Sequence, residues 1–249
     1  MTNIKLIALD MDGTLLDKED KISSRNKQAI KQAQEQGVTV VLSTGRFLKT
    51  CFPYAEELGL SSYLVTSNGG QIWTMDQELV EEHILETKSI EKMYAIGKEA
   101  DIAMWLVSAE DVYHNELPED YQTREWLKFG CVTDDLAKLD SVVAQVAKIG
   151  DLEITNSMPN NMEVNPIGVN KANALKTVCK KLGITMDQVL AAGDSLNDIK
   201  MIEQAGLGVA MGNAQDAVKQ AADFVTEDHD QDGVAKAIAH YVLQEVRQN

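Results

Sequence analysis

The chain has 249 residues, 44% of them apolar and 25% charged, with a net charge of −16 at pH 7. That length suits one large or two modest domains around a real buried core, and the composition is that of an ordinary globular protein. So acidic a chain is a poor match for nucleic acid or an anionic membrane surface, and it repels anionic substrates unless a local cation intervenes.

In chain order, residues 4–9 read as a buried strand, and SSRNKQAIKQAQEQG reads as an amphipathic helix with a serine cap and a glycine stop at Gly37. VTVVL (38–42) is a second strand, residues 47–58 a helix holding Pro53, and SYLVTSNGG (62–70) a third strand ending in a glycine turn. This alternation predicts a parallel sheet covered by helices on both faces. The rhythm changes near Trp73: helix (88–100), strand (102–107), strand (110–114), an irregular acidic stretch, then helix (134–149), strand (151–156) and strand (161–165). A helix followed by two strands, twice, predicts an inserted α+β domain with an antiparallel sheet and two helices on one face. Alternation then resumes from NKANALKTVCKKLG through VLAAGD, SLNDIKMIEQAG, LGVAMGN, AQDAVKQAA and DFVT to the amphipathic DGVAKAIAHYVLQEV. The expected division is a core of residues 1–83 and 169–249 with an insert of 84–168.

Ligands of open parallel sheets sit beyond the carboxyl ends of the strands, and there this chain is polar. Strand 4–9 leads into Asp10, Asp12, Gly13 and Thr14; strand 38–42 into Ser43, Thr44, Gly45 and Arg46; strand 189–192 into Gly193, Asp194, Ser195, Asn197 and Asp198. The helix before that last strand opens with Lys171. Each station alone has a plainer reading: acids closing a strand, hydroxyls in a strand-to-helix turn, a solvated lysine, an aspartate capping a helix. A calcium loop starting at Asp10 fails, because its fifth, sixth and twelfth places hold Thr14, Leu15 and Lys21. All the stations fall at one edge of the same predicted sheet, where three carboxylates, a hydroxyl beside a glycine and a lysine converge.

Other signals are negative. There is no GxxxxGK[ST] loop, GLGVAMG has the wrong spacing for a dinucleotide fingerprint, and none of the four histidines pairs at metal-ligand spacing. The cysteines, Cys51, Cys131 and Cys179, are far apart and odd in number, which suits free thiols in a reducing cytosol. The first apolar run is too short for a signal peptide, and no run reaches the length of a membrane span. The expected location is cytoplasmic.

DMDGT, the Thr44 of STGR, Lys171 and GDSLND, in this order and each in its strand or helix context, resemble the four motifs of the haloacid dehalogenase superfamily of phosphatases. The insert between the second and third motifs resembles the type IIB cap of the Cof-like subgroup, mostly sugar-phosphate phosphatases, as do TSNGG and MEVNPIGVNK. The resemblance implies a Rossmann-like core and a Mg²⁺-dependent phosphatase of a small phosphorylated metabolite. Asp10 would be the nucleophile and Asp12 the acid/base. The metal ligands would be the Asp10 side chain, the Asp12 carbonyl and Asp194. Met11, Thr44, Gly45, Lys171 and Asn197 would hold the phosphate, with Asp198 orienting Lys171 or a metal-bound water. Arg46 and Asn68 from the core and Glu163 and Asn165 from the cap are candidates for reading the leaving group. Glu163 and Asn165 alternate on one strand and share a face, a pattern equally typical of a solvated sheet face. A phosphomutase of the phosphomannomutase type, or a non-catalytic regulator binding a phosphorylated metabolite, are the competing expectations.

Overall fold

The structure is a computed structural model that describes residues 3–243. The elements are, in order, β1 (Leu6–Leu9), α1 (Ser24–Glu35), β2 (Thr39–Ser43), α2 (Leu48–Glu57), β3 (Tyr63–Thr66), β4 (Gln71–Thr74), β5 (Leu79–Glu82), α3 (Thr87–Glu99), β6 (Ala103–Ser108), β7 (Val112–His114), β8 (Trp126–Val132), α4 (Leu136–Val146), β9 (Leu152–Thr155), β10 (Asn161–Pro166), α5 (Lys171–Leu182), β11 (Val189–Gly193), α6 (Ile199–Gln204), β12 (Leu207–Ala210), α7 (Asp216–Ala221), β13 (Phe224–Val225) and α8 (Gly233–Tyr241). The sequence carries the last helix on to residue 246; its end lies outside the described residues.

The larger sheet has the order β13-β12-β11-β1-β2-β3-β4-β5. Strands β13 to β3 are mutually parallel, as expected. Central β1 is buried at every residue, because Leu6, Ile7, Ala8 and Leu9 have helices over both faces. The sheet is mixed at one edge, where two further strands, β4 and β5, pair antiparallel. QIWT and LVEE are too short and too polar on one side to announce themselves as strands. Local signals explain the helices. Ser23 accepts a bond from the Asn26 N–H at 3.1 Å to cap α1, Asn170 does the same for α5 from Asn173 at 3.0 Å, and left-handed Gly183 ends α5.

The smaller sheet is wholly antiparallel, in the order β7-β6-β8-β10-β9. It holds a strand the sequence reading missed: β8 runs through WLKFGCV, where only an irregular stretch was expected. The two faces of this sheet differ in kind. Leu106, Phe129, Cys131, Met162 and Val164 point to one side, where they form a separate apolar cluster with Ile90 and Met93 of α3 and Leu139 and Val142 of α4. The alternate residues Trp105, Lys128, Gly130, Glu163 and Asn165 point to the other, toward the carboxyl ends of the parallel strands.

Phe129 is fully buried at the centre of the smaller cluster. Phe129→Ala is expected to cost about 3–5 kcal/mol, read as a fall in the urea midpoint at unchanged slope.

Candidate active site

The chain after β1 turns at once. Asp12 (φ −76°, ψ 118°) and Gly13 (φ 78°, ψ 2°) are the central residues of a type II turn, whose third position calls for glycine. A Cβ at Gly13 would also lie 2.5 Å from Asp194 Oδ2. Glycine is thus required twice, for its backbone and for its lack of bulk, and the loops after β1 and β11 close on each other across it. Thr14 Oγ1 donates to Asp194 Oδ1 at 3.4 Å from the same turn.

Lys171, first residue of α5, has no exposed surface; its Nζ donates to Asp10 Oδ1 at 2.6 Å and to Asp198 Oδ1 at 2.7 Å. The other Asp198 oxygen accepts the N–H groups of Asp194 (3.0 Å) and Ser195 (3.1 Å). Asp198 therefore ties the lysine and the loop after β11 into one unit. Burial alone would lower the Lys171 pKa, but the two carboxylates beside it hold it above the usual lysine value. Burial pushes Asp10 well above its ordinary value, Asp198 adds to this, and Lys171 only partly offsets it. Asp194 is pushed up to about 7, by burial first and Asp198 second.

Burial raises both carboxyls, and the crowding of three carboxylates around one ammonium adds to it. Oxygens of Asp10, Asp194 and Asp198 lie within 4.8 Å of one another, a hard oxygen donor set with excess negative charge. The residues therefore fit a divalent cation such as Mg²⁺. The Asp12 carboxylate is not part of this cluster. It is gripped instead by Arg46, whose Nε lies 2.9 Å from Oδ2 and whose terminal nitrogen bonds Oδ1. Arg46 also reaches Asp20 at 3.0 Å and lies over the Tyr54 ring. The residue expected to read substrate is here a clamp on the acid/base candidate.

Asp10, Asp12, Gly45, Arg46, Asp194, Asn197 and Glu163 line one cavity of about 380 Å³, together with Lys128 and Trp105, which the sequence reading did not single out. Thr44 lies behind it, fully buried, its Oγ1 accepting the Arg46 N–H at 3.1 Å. The Met11 side chain packs in the core, which leaves only its backbone for phosphate.

Asn68, Glu163, Asn165 and Asn197 join the two sheets. Ser67 and Asn68 both have positive φ, 51° and 59°, a costly arrangement for two successive non-glycine residues. It aims the Asn68 amide across the gap. Asn68 donates to Glu163 Oε2 at 2.7 Å and accepts from Asn197 Nδ2 at 3.2 Å. Asn165 donates to the Ser67 and Leu127 carbonyls at 2.9 and 3.0 Å. Lys128 completes the tie, donating to the Gly45 carbonyl at 2.7 Å and Glu163 Oε1 at 3.0 Å. Glu163 and Asn165 are thus not a solvated face but buried groups. The amide nitrogen of Asn197, expected on phosphate, is occupied by Asn68, while its Oδ1 is buried with no partner among the described residues. Lys128 was missed because β8 was missed. Its signal was present in WLKFGCV, where Leu127, Phe129 and Cys131 alternate with lysine and glycine.

With this geometry in view, comparison with known proteins gives a consistent result. Residues 7–238 match the family of haloacid dehalogenase-like hydrolases, and the chain belongs to it. It is 52% identical over 241 residues to the 5-amino-6-(5-phospho-D-ribitylamino)uracil phosphatase YcsE of Bacillus subtilis (strain 168), covering 97% of each. A solved haloacid dehalogenase-like hydrolase from Bacteroides thetaiotaomicron superposes with a TM-score of 0.79 at 31% identity, over 95% of this chain and 99% of that one. A solved subclass IIB sugar phosphatase of the superfamily shares the fold, with a TM-score of 0.82 at 24% identity over 96% and 99% of the two chains. Within the family the chain is a phosphatase of the Cof-like type, with an α/β core and the separate antiparallel cap sheet of subclass IIB.

The core–cap tie has a pH signature. Burial would raise the Glu163 pKa, but Lys128 and Asn68 outweigh it and hold the group below its ordinary 4.5. A depressed carboxyl stabilises the fold fully above pH 4.5 and loses that contribution as pH falls through the lowered value. In urea titrations Glu163→Gln is expected to remove this part of the acid-side slope, so that wild type and variant converge below pH 4.5.

Proposed function

We propose that the protein is a Mg²⁺-dependent phosphomonoesterase of a small phosphorylated metabolite, and that 5-amino-6-(5-phospho-D-ribitylamino)uracil is its substrate. One observation carries the activity: the buried Asp10 carboxylate, paired with a fully buried Lys171 at 2.6 Å, opens on a cavity roofed by the polar face of the cap. Identity to a phosphatase of that uracil compound along nearly the whole chain supports the substrate. It narrows the expectation of sugar phosphates to a phosphate on a ribityl chain. Three free, buried thiols support a reducing, cytoplasmic setting; no helix of the described residues is long and apolar enough to cross a membrane.

In this reading an Asp10 oxygen attacks phosphorus and forms an aspartyl-phosphate, splitting one difficult hydrolysis into two displacements. Lys171, fixed between Asp10 and Asp198, offsets the charge that gathers on the phosphoryl oxygens. The Met11 and Gly45 N–H groups and the Thr44 hydroxyl take up those oxygens. Asp12 protonates the departing alkoxide and then accepts a proton from the water that cleaves the acyl phosphate, for which its carboxylate must exchange Arg46 for the leaving group. Mg²⁺ held by Asp10, Asp194 and the Asp12 carbonyl would supply charge neutralisation and orientation of the phosphoryl group.

Asp10→Asn is expected to lower phosphate release by at least about a thousandfold with an unchanged circular dichroism spectrum; turnover persisting in that variant would remove Asp10 as nucleophile. Chelation with EDTA is expected to stop the wild-type enzyme, and added Mg²⁺ to restore it.

A further inference from the structure

Trp105 is the aromatic side chain of the cavity that holds Asp10 and Asp12, and it has no other evident task. It belongs to neither the core cluster nor the cap cluster of apolar side chains. Its indole N–H makes no hydrogen bond among the described residues, whereas Trp73 donates to Gln71 at 3.2 Å and Trp126 to the Tyr121 carbonyl at 2.9 Å.

Its position is set by register. Trp105 pairs with Gly130, which on its other side pairs with Glu163, so the three form one rung across β6, β8 and β10 on the face turned to the core. A Cβ at Gly130 would collide with Cε2 and Cζ2 of Trp105. The indole therefore lies over the glycine in the space a side chain would fill, one face against the strand and the other turned toward the cavity. Met158 is the other apolar side chain of the lining; the remainder is polar or charged, including Asn161 and the Lys128–Glu163 pair. An apolar plate with polar groups around its edge complements a heteroaromatic ring, whose faces are apolar and whose edges donate and accept hydrogen bonds.

We infer that Trp105, laid flat across Gly130, is the stacking platform for a planar heteroaromatic ring in the leaving group, and so a determinant of substrate specificity. The inference rests on the phosphatase reading above and deepens it: phosphate at the Asp10 end, ring at the Trp105 end, a flexible chain between them. Gly130 is part of the device, because any larger residue there lifts the indole off the strand.

The test compares 5-amino-6-(5-phospho-D-ribitylamino)uracil with ribitol 5-phosphate, which has the phosphorylated chain without the ring. Trp105→Leu is expected to lose about tenfold in kcat/KM on the ring-bearing ester, carried by KM, with ribitol 5-phosphate hydrolysis unchanged and most of the loss restored in Trp105→Phe. Equal losses on both esters, or no loss on either, overturns the assignment. Binding is read separately in Asp10→Asn by tryptophan fluorescence. The ring-bearing ester is expected to quench the emission, ribitol 5-phosphate is not, and the quench is expected to vanish when Trp105→Phe is added. If the wild-type enzyme releases phosphate from neither ester, the activity reading fails by itself. The fluorescence then still decides: a Trp105-dependent quench supports the platform, and its absence overturns it.

Discussion

Lys171 has no exposed surface, and its ammonium stays charged because Asp10 and Asp198 stand 2.6 and 2.7 Å from it. Burying one cation is costly unless it is paired and hydrogen-bonded, so the helix that begins at Lys171 is docked where two strand ends bring acids together. The pairing leaves the site short of positive charge, since Asp194 is a third acid in the same space. That shortage links the parts of the site. It adds to burial, the larger cause, in raising the proton affinity of Asp10 and Asp194, and it makes the oxygen cluster suit a divalent cation.

The cap solves a different problem with one sheet. Its apolar face is covered by α3 and α4 and stabilises the unit, while its polar face is pressed against the core through Asn68, Lys128, Glu163 and Asn165. Because side chains alternate along each strand, one set of residues keeps the cap folded and the interleaved set is free to specialise. The carboxylates and Lys171 all come from the core, and the polar face of the cap closes over them.

The core site was legible in the sequence because each polar station follows a buried strand, and parallel topology gathers strand ends on one side. Asp10, Asp194 and Asp198 stand where that rule puts them, and Lys171 reaches them from the first residue of α5, which follows the cap. What could not be read was the partner of each long side chain. Arg46 was expected to face substrate and holds Asp12; the Asn197 amide was expected on phosphate and holds Asn68. Both partners come from loops far apart in sequence, so no local pattern announces them. In the cap, β8 was hidden because it follows a polar, irregular segment and carries a lysine and a glycine, residues that weaken a strand signal. With that strand went Lys128 and the glycine beneath Trp105.

The ends of the large sheet have a consequence beyond catalysis. At one edge β13 has only two residues, and at the other the antiparallel β5 carries Glu81 and Glu82. A parallel sheet left with a long apolar margin would template pairing with another chain; a two-residue stub and a strand bearing adjacent negative charges do not. The excursion through β4 and β5 that leads the chain toward its cap thus also finishes the core's border, with no long apolar strand left open at either edge among the described residues.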